Sequence, residues 1–291
     1  MKKIISIILS IALTLAYMTV LASAAENVSS APSISKHDFA EQCKEAVLKN
    51  QSRSIMSQEE MDELILLYSS GTDPVYHEKL LNDAGMFVYS TTINVSGAAR
   101  TSDGGDVDLG KVSLIYNGVV DNWTLVCTAA WINVEAIRDD TGWFIPIPGV
   151  EHNIGGYDAV GIHLHDVTGT TPTLVESFAY VNYQNEDPVK YINPATYDRR
   201  YGISFTYQDK IKCLTSTLFN YTFKYFGTNL QVLTRYDSTF EDFSGTATMM
   251  YMHTGSGVEL NGISVSNSGF SFNFSNSGNH FTIYSGTDLK F

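Results

Sequence analysis

Val112-Ser113-Leu114-Ile115-Tyr116-Asn117-Gly118-Val119-Val120-Asp121-Asn122-Trp123-Thr124-Leu125-Val126-Cys127-Thr128-Ala129-Ala130-Trp131-Ile132 is the stretch that decides the fold. Val112, Leu114 and Tyr116 recur every second residue, the period of a β-strand. Asn117-Gly118 then reads as a hairpin turn, because both residue types tolerate the backbone that such turns require. In the next segment Trp123, Leu125, Cys127, Ala129 and Trp131 share one face, and Thr124, Val126, Thr128, Ala130 and Ile132 share the other. Two apolar faces mark a strand covered on both sides.

The same rhythm extends outward. Upstream, Phe87, Tyr89, Thr91, Ile93 and Val95 alternate with smaller or polar residues. Downstream, the pattern predicts strands near 158–166, 173–183, 202–208, 217–226, 229–236, 246–253, 258–265, 269–275 and 280–285. Phe270, Phe272 and Phe274, interleaved with Ser271, Asn273 and Ser275, describe a half-buried strand. Many short strands separated by Gly, Asn and Asp turns point to a sandwich or barrel.

Before Gly85 the period differs. Phe39, Cys43, Val47 and Leu48 share one helical face. Ser57-Gln58-Glu59-Glu60 is a capping box that opens a second helix, with Met61, Leu64, Ile65 and Tyr68 as its buried stripe. Pro74 fits the first position of a third helix running through Leu81. The fold class expected is α+β and mostly β, with short N-terminal helices followed by an antiparallel β-sandwich. The divisions expected are a signal peptide at 1–24, a helical segment at 25–84 and a β-domain at 85–291. The helical segment reads equally as a pro-region, a cap on the sheet or a partner-binding arm.

Compartment follows from the first residues. Lys2 and Lys3 precede an apolar run from Ile4 to Leu21, and Ala22-Ser23-Ala24 supplies small residues for cleavage, the layout of a secretory signal peptide. A secreted protein is expected, released or loosely held at a cell surface, with no stable transmembrane span after cleavage. The chain has 18 basic and 31 acidic side chains and a net charge of -13. Such acidity repels polyanions and excludes nucleic acid as a partner. Three cysteines do not make a disulfide framework, but export permits one bridge, and Cys127 with Cys213 is the expected pair.

Two long segments interrupt the strands, 139–157 and 184–201, and long connections in a compact domain tend to carry function. They hold Trp143, Tyr157, Tyr183, Tyr191, Tyr197 and Tyr201, with Arg199 and Arg200 as hydrogen-bonding neighbours. Aromatic rings beside polar groups stack on sugars or anchor proteins. The leading expectation is therefore a non-enzymatic binding protein for an extracellular glycan or surface protein, with no cofactor. An alternative is an extracellular hydrolase using zinc. His163 and His165 project to the same face of a strand, and His152 or Glu151 would complete a set of three ligands. A second alternative is a membrane-active, toxin-like protein built on amphipathic strands such as 264–275. No serine elbow occurs: His253-Thr254-Gly255-Ser256-Gly257 lacks the spacing and reads as a turn.

Overall fold

The computed structural model describes residues 34–49, 56–71, 73–91, 107–134, 145–183, 188–217, 220–285 and 289–291. The signal-peptide segment and Trp143 lie outside the described residues.

Among the described residues three helices come first: α1 (Lys36–Lys49), α2 (Gln58–Ser69) and α3 (Pro74–Ala84). The caps explain their bounds. Ser57 Oγ accepts from the Glu60 amide and Glu60 Oε2 accepts from the Ser57 amide, so the capping box closes at both ends. Asp73 accepts from the Tyr76 amide ahead of Pro74. Gly85, at φ +86°, ends α3, one turn later than Leu81, because glycine reaches the left-handed region without a Cβ penalty.

The regular structure that follows is strand apart from one 3-10 helix at Ser238–Asp242: β1 (Met86–Thr91), β2 (Val107–Asn117), β3 (Asn122–Trp131), β4 (Glu151–Thr168), β5 (Leu174–Tyr183), β6 (Val189–Tyr191), β7 (Thr196–Asp198), β8 (Gly202–Thr217), β9 (Asn220–Asp237), β10 (Ser244–Thr254), β11 (Leu260–Ser266), β12 (Gly269–Phe274), β13 (His280–Tyr284) and β14 (Leu289–Lys290). All pairings are antiparallel. Among the described residues twelve strands form one curled sheet with the order β1-β2-β3-β9-β8-β4-β10-β13, and β11-β12 is a separate ribbon. The mostly-β α+β class is as expected. The expected sandwich is compatible with the curl, but the two halves are joined by hydrogen bonds through the long β8–β9 hairpin. The C-terminal half of β9 pairs with β3 and β5, and its N-terminal half pairs with β8.

Asn117-Gly118 does turn the chain, through a four-residue connection from Gly118 to Asp121. Asn117 Oδ1 accepts from the Val119 and Val120 amides. A Cβ on Gly118 would lie 2.9 Å from Val47 Cγ2, so the close approach of α1 needs glycine there. Segment 139–157 is not all loop, since β4 already starts at Glu151. Its register breaks between Asn153 and Tyr157. Gly155, at φ +56°, takes up that break against the Thr254 carbonyl. The two-residue rhythm is lost at the glycines although pairing resumes beyond them. Segment 184–201 likewise contains β6 and β7.

The curl encloses the main core, in which Trp123, Trp131, Tyr207, Phe205, Tyr225 and Tyr251 are buried. Helix α1 joins it through Ala40 and Cys43, with the Phe39 ring 5.1 Å from that of Tyr89. Helices α2 and α3 cover the opposite face of β2, β3, β9 and β5 through Ile65, Leu66, Leu81, Ile115, Val126, Phe178 and Leu233. A buried ion pair fixes that contact: Arg235 Nη2 donates to Asp62 Oδ1 at 2.5 Å and Nη1 to Glu176 Oε2 at 2.6 Å. Gln231 Nε2 donates to the Leu66 carbonyl and to Ser69 Oγ at the C-terminal end of α2. The helical segment therefore packs as a cap on the sheet. The β11-β12 ribbon covers the outer face of β4 and β10 through Phe270, Met250, Met252 and Ala159, with Phe272 and Phe274 packed alongside.

Candidate functional site

Three neighbouring strands each place a titratable side chain on the inner, apolar face of the sheet. On β4, Asp158 precedes Val160, Ile162 and Leu164 on that face; on β8, Asp209 lies between Tyr207 and Ile211; on β10, His253 follows Met249 and Tyr251. Because β8, β4 and β10 are adjacent, the three groups meet. Their ligating atoms lie within 4.8 Å of one another, and the residues are at most 1% exposed.

His253 Nδ1 is 2.8 Å from Asp158 Oδ2 and 3.4 Å from Asp209 Oδ2. The Tyr251 hydroxyl donates to Asp158 Oδ2 at 2.6 Å and lies 3.4 Å from His253 Nδ1, and the Tyr207 hydroxyl reaches Asp158 Oδ2 at 3.4 Å. Asp158 Oδ1 accepts from the Thr254 amide at 2.9 Å. Trp131 closes the cluster from β3, its ring 5.1 Å from that of His253, and Phe281 adds a ring at 5.2 Å.

The two carboxyls differ sharply. Burial pushes Asp158 up, but the charge and hydrogen bond of His253 and the bond from Tyr251 outweigh it and hold the group below its ordinary value. Asp209 is driven well above its ordinary value by burial and then by the charge of Asp158. Among the described residues neither oxygen of Asp209 makes a hydrogen bond of good geometry. One of them occupies space that a side chain at residue 227 would take: a Cβ on Gly227 would fall 1.9 Å from Asp209 Oδ1. His253 Nδ1 stands nearer to Asp158 Oδ2 than to Asp209 Oδ2.

The residues expected from sequence are distributed differently. His163 and His165 do share one face, their rings stacked at 5.5 Å. That face is the outer one. His163 Nε2 contacts the Ser266 carbonyl at 3.0 Å, and His165 contacts Thr248 Oγ1 and Asp166 Oδ2 at 3.1 Å each. His152 is eleven residues back along β4, roughly 35 Å at strand rise, and does not converge with them. Glu151 lies 3.8 Å from Lys210 and 3.9 Å from Lys212. Cys127 and Cys213 are free buried thiols, as is Cys43, so the expected bridge is not made. The cause is register: Cys127 pairs with Val232 and Cys213 with Phe223, nine residues apart on β9, about 30 Å.

The aromatic residues also separate. Tyr157 is 53% exposed on the outer face, opposite Gln208. Tyr191 pairs with Ala179 and packs half-buried on the main core, and Tyr197, 38% exposed, pairs with Ile203. Tyr183 ends β5 and Tyr201 is half-buried. Arg200 is a staple, donating to the Val167 and Gly169 carbonyls and to Thr171 Oγ1, whereas Arg199 is exposed.

Sequence reasoning passed over Asp158 and Asp209 and treated His253 as part of a turn. A local signal existed, since each interrupts an apolar face of a two-residue pattern. Their convergence depends on strand order, which no local pattern carries. No protein-family model matches this chain, and no curated protein matches it either.

Proposed function

We propose that this chain is an exported, non-enzymatic binding protein that contacts a glycan or protein through segment 189–199. One observation carries the reading: Val189, Ile192 and Tyr197 are 45%, 64% and 38% exposed within nine residues. Large apolar side chains so concentrated mark contact surfaces more often than solvated ones. The segment is held at both ends, by β6 on β5 and β7 on β8. Its backbone is therefore ordered in advance, and binding costs little further entropy. Arg199, exposed two residues after Tyr197, adds a planar donor to the segment.

Glycan-array and surface pull-down experiments test this with Tyr197→Ala and Ile192→Ala. Loss of at least tenfold in apparent affinity in both variants, with an unchanged circular dichroism spectrum, is the expected result. Full binding in both would remove the segment as the contact. Val75→Ala, on an exposed position of α3, is the control expected to bind normally.

A further inference from the structure

The buried Asp158–Asp209–His253–Tyr251 cluster has the donor set and the spacing of a metal site. We propose that it holds one divalent transition-metal ion, zinc being the best fit, as a structural element of the folded core.

The geometry carries this. Oxygen and nitrogen ligands about 2.0–2.1 Å from a tetrahedral ion stand about 3.3 Å apart. The distances found are 2.6 Å from Tyr251 Oη to Asp158 Oδ2, 2.8 Å from His253 Nδ1 to Asp158 Oδ2, and 3.4 Å from His253 Nδ1 to both Asp209 Oδ2 and Tyr251 Oη. The ligating atoms of Asp158, Asp209 and His253 all lie within 4.8 Å of one another, so side-chain adjustment brings them round one ion. Imidazole with carboxylates suits zinc, whereas magnesium and calcium prefer sets made wholly of oxygen.

A second observation is independent of that spacing. Asp209 is fully buried, and among the described residues neither of its oxygens makes a hydrogen bond of good geometry, while Oδ2 faces the His253 nitrogen at 3.4 Å. A buried carboxyl left unsatisfied is costly. A dication removes the cost, because it offers the buried carboxylate oxygens a positive partner that the surrounding side chains do not supply. The site is sealed by Trp131, Phe281 and the sheet itself, so the ion has no route to substrate and its role is structural. This site is separate from segment 189–199, and either proposal can fail alone.

Because the cluster is sealed, the metal enters as the chain folds. The protein is unfolded in urea with chelator, refolded with zinc chloride or with chelator alone, desalted, and analysed for metal by mass spectrometry. The expected result is about one zinc per chain in the wild type, close to none in Asp209→Asn, and a higher melting temperature for the zinc-refolded wild type. Asp166→Asn, which removes the carboxylate beside His165, is expected to keep its zinc. Should Asp209→Asn fail to fold, Tyr251→Phe keeps the ring volume and is expected to weaken zinc binding at least tenfold. A wild type that retains no zinc overturns the proposal. So does zinc retained at full stoichiometry by Asp209→Asn or with unchanged affinity by Tyr251→Phe, since the ion would then sit elsewhere.

Discussion

Replacing Arg235 by Met separates the cap from the sheet electrostatically while leaving the packing nearly intact. The Arg235 and Asp62 side chains are each 4% exposed, whereas Glu176 is 41% exposed. The substitution strands the Asp62 carboxylate between α2 and β9, with Gln58 Nε2 at 3.0 Å as its remaining neutral donor. Removing one partner of a buried pair costs about 3–5 kcal/mol, mostly as the penalty on the charge left behind. The arginine also stands 6.0 Å from the Phe178 ring centroid, which adds at most about 1 kcal/mol. The Glu176 arm is half-solvated and contributes about 0.2–1 kcal/mol. Urea denaturation followed by circular dichroism is the assay. Arg235→Met should lose about 3–5 kcal/mol, Glu176→Gln less than about 1, and Asp62→Leu with Arg235→Met should recover most of the loss. A loss below about 1 kcal/mol in Arg235→Met, or a double variant no better than the single, would refute the claim that this pair locks the helices to the sheet.

Three further outcomes follow from the core. Lys36 donates to the Phe240 and Phe243 carbonyls, and burial lowers its ammonium from 10.5 to about 7 against the attraction of Glu241 and Asp242. Between about pH 7 and 10.5 the unfolded chain keeps a proton that the folded chain has released, so stability rises with pH in that window. The melting temperature should climb from pH 6 to pH 9, and Lys36→Met should flatten the climb; parallel curves would exclude Lys36 as its source. All three thiols should react with a thiol reagent in denaturant without reductant and stay silent in the native protein, where burial raises Cys43 to about 11 and Cys127 further; one reactive thiol in denaturant would mean a bridge. Gly161→Ala places a Cβ 2.4 Å from the Ile203 carbonyl and should cost about 2 kcal/mol or more by prising β4 from β8, a loss that calorimetry would register.

What the sequence determined by itself was local. The capping box at Ser57–Glu60, Pro74 at a helix start and the alternation from Val112 to Trp131 specify element type, because hydrogen bonds and side-chain direction repeat within a few residues. Phe270, Phe272 and Phe274 on alternate positions announced β12 in the same way. Tertiary structure decided which strands lie side by side. Strand order brings Asp158, Asp209 and His253 together from positions 95 residues apart, carries His163 and His165 to the face under the ribbon, and holds Cys127 and Cys213 apart on β3 and β8. The alternation states that a side chain faces the core. Which partner it meets there follows from how the sheet curls, and the curl is set by packing summed over the whole chain.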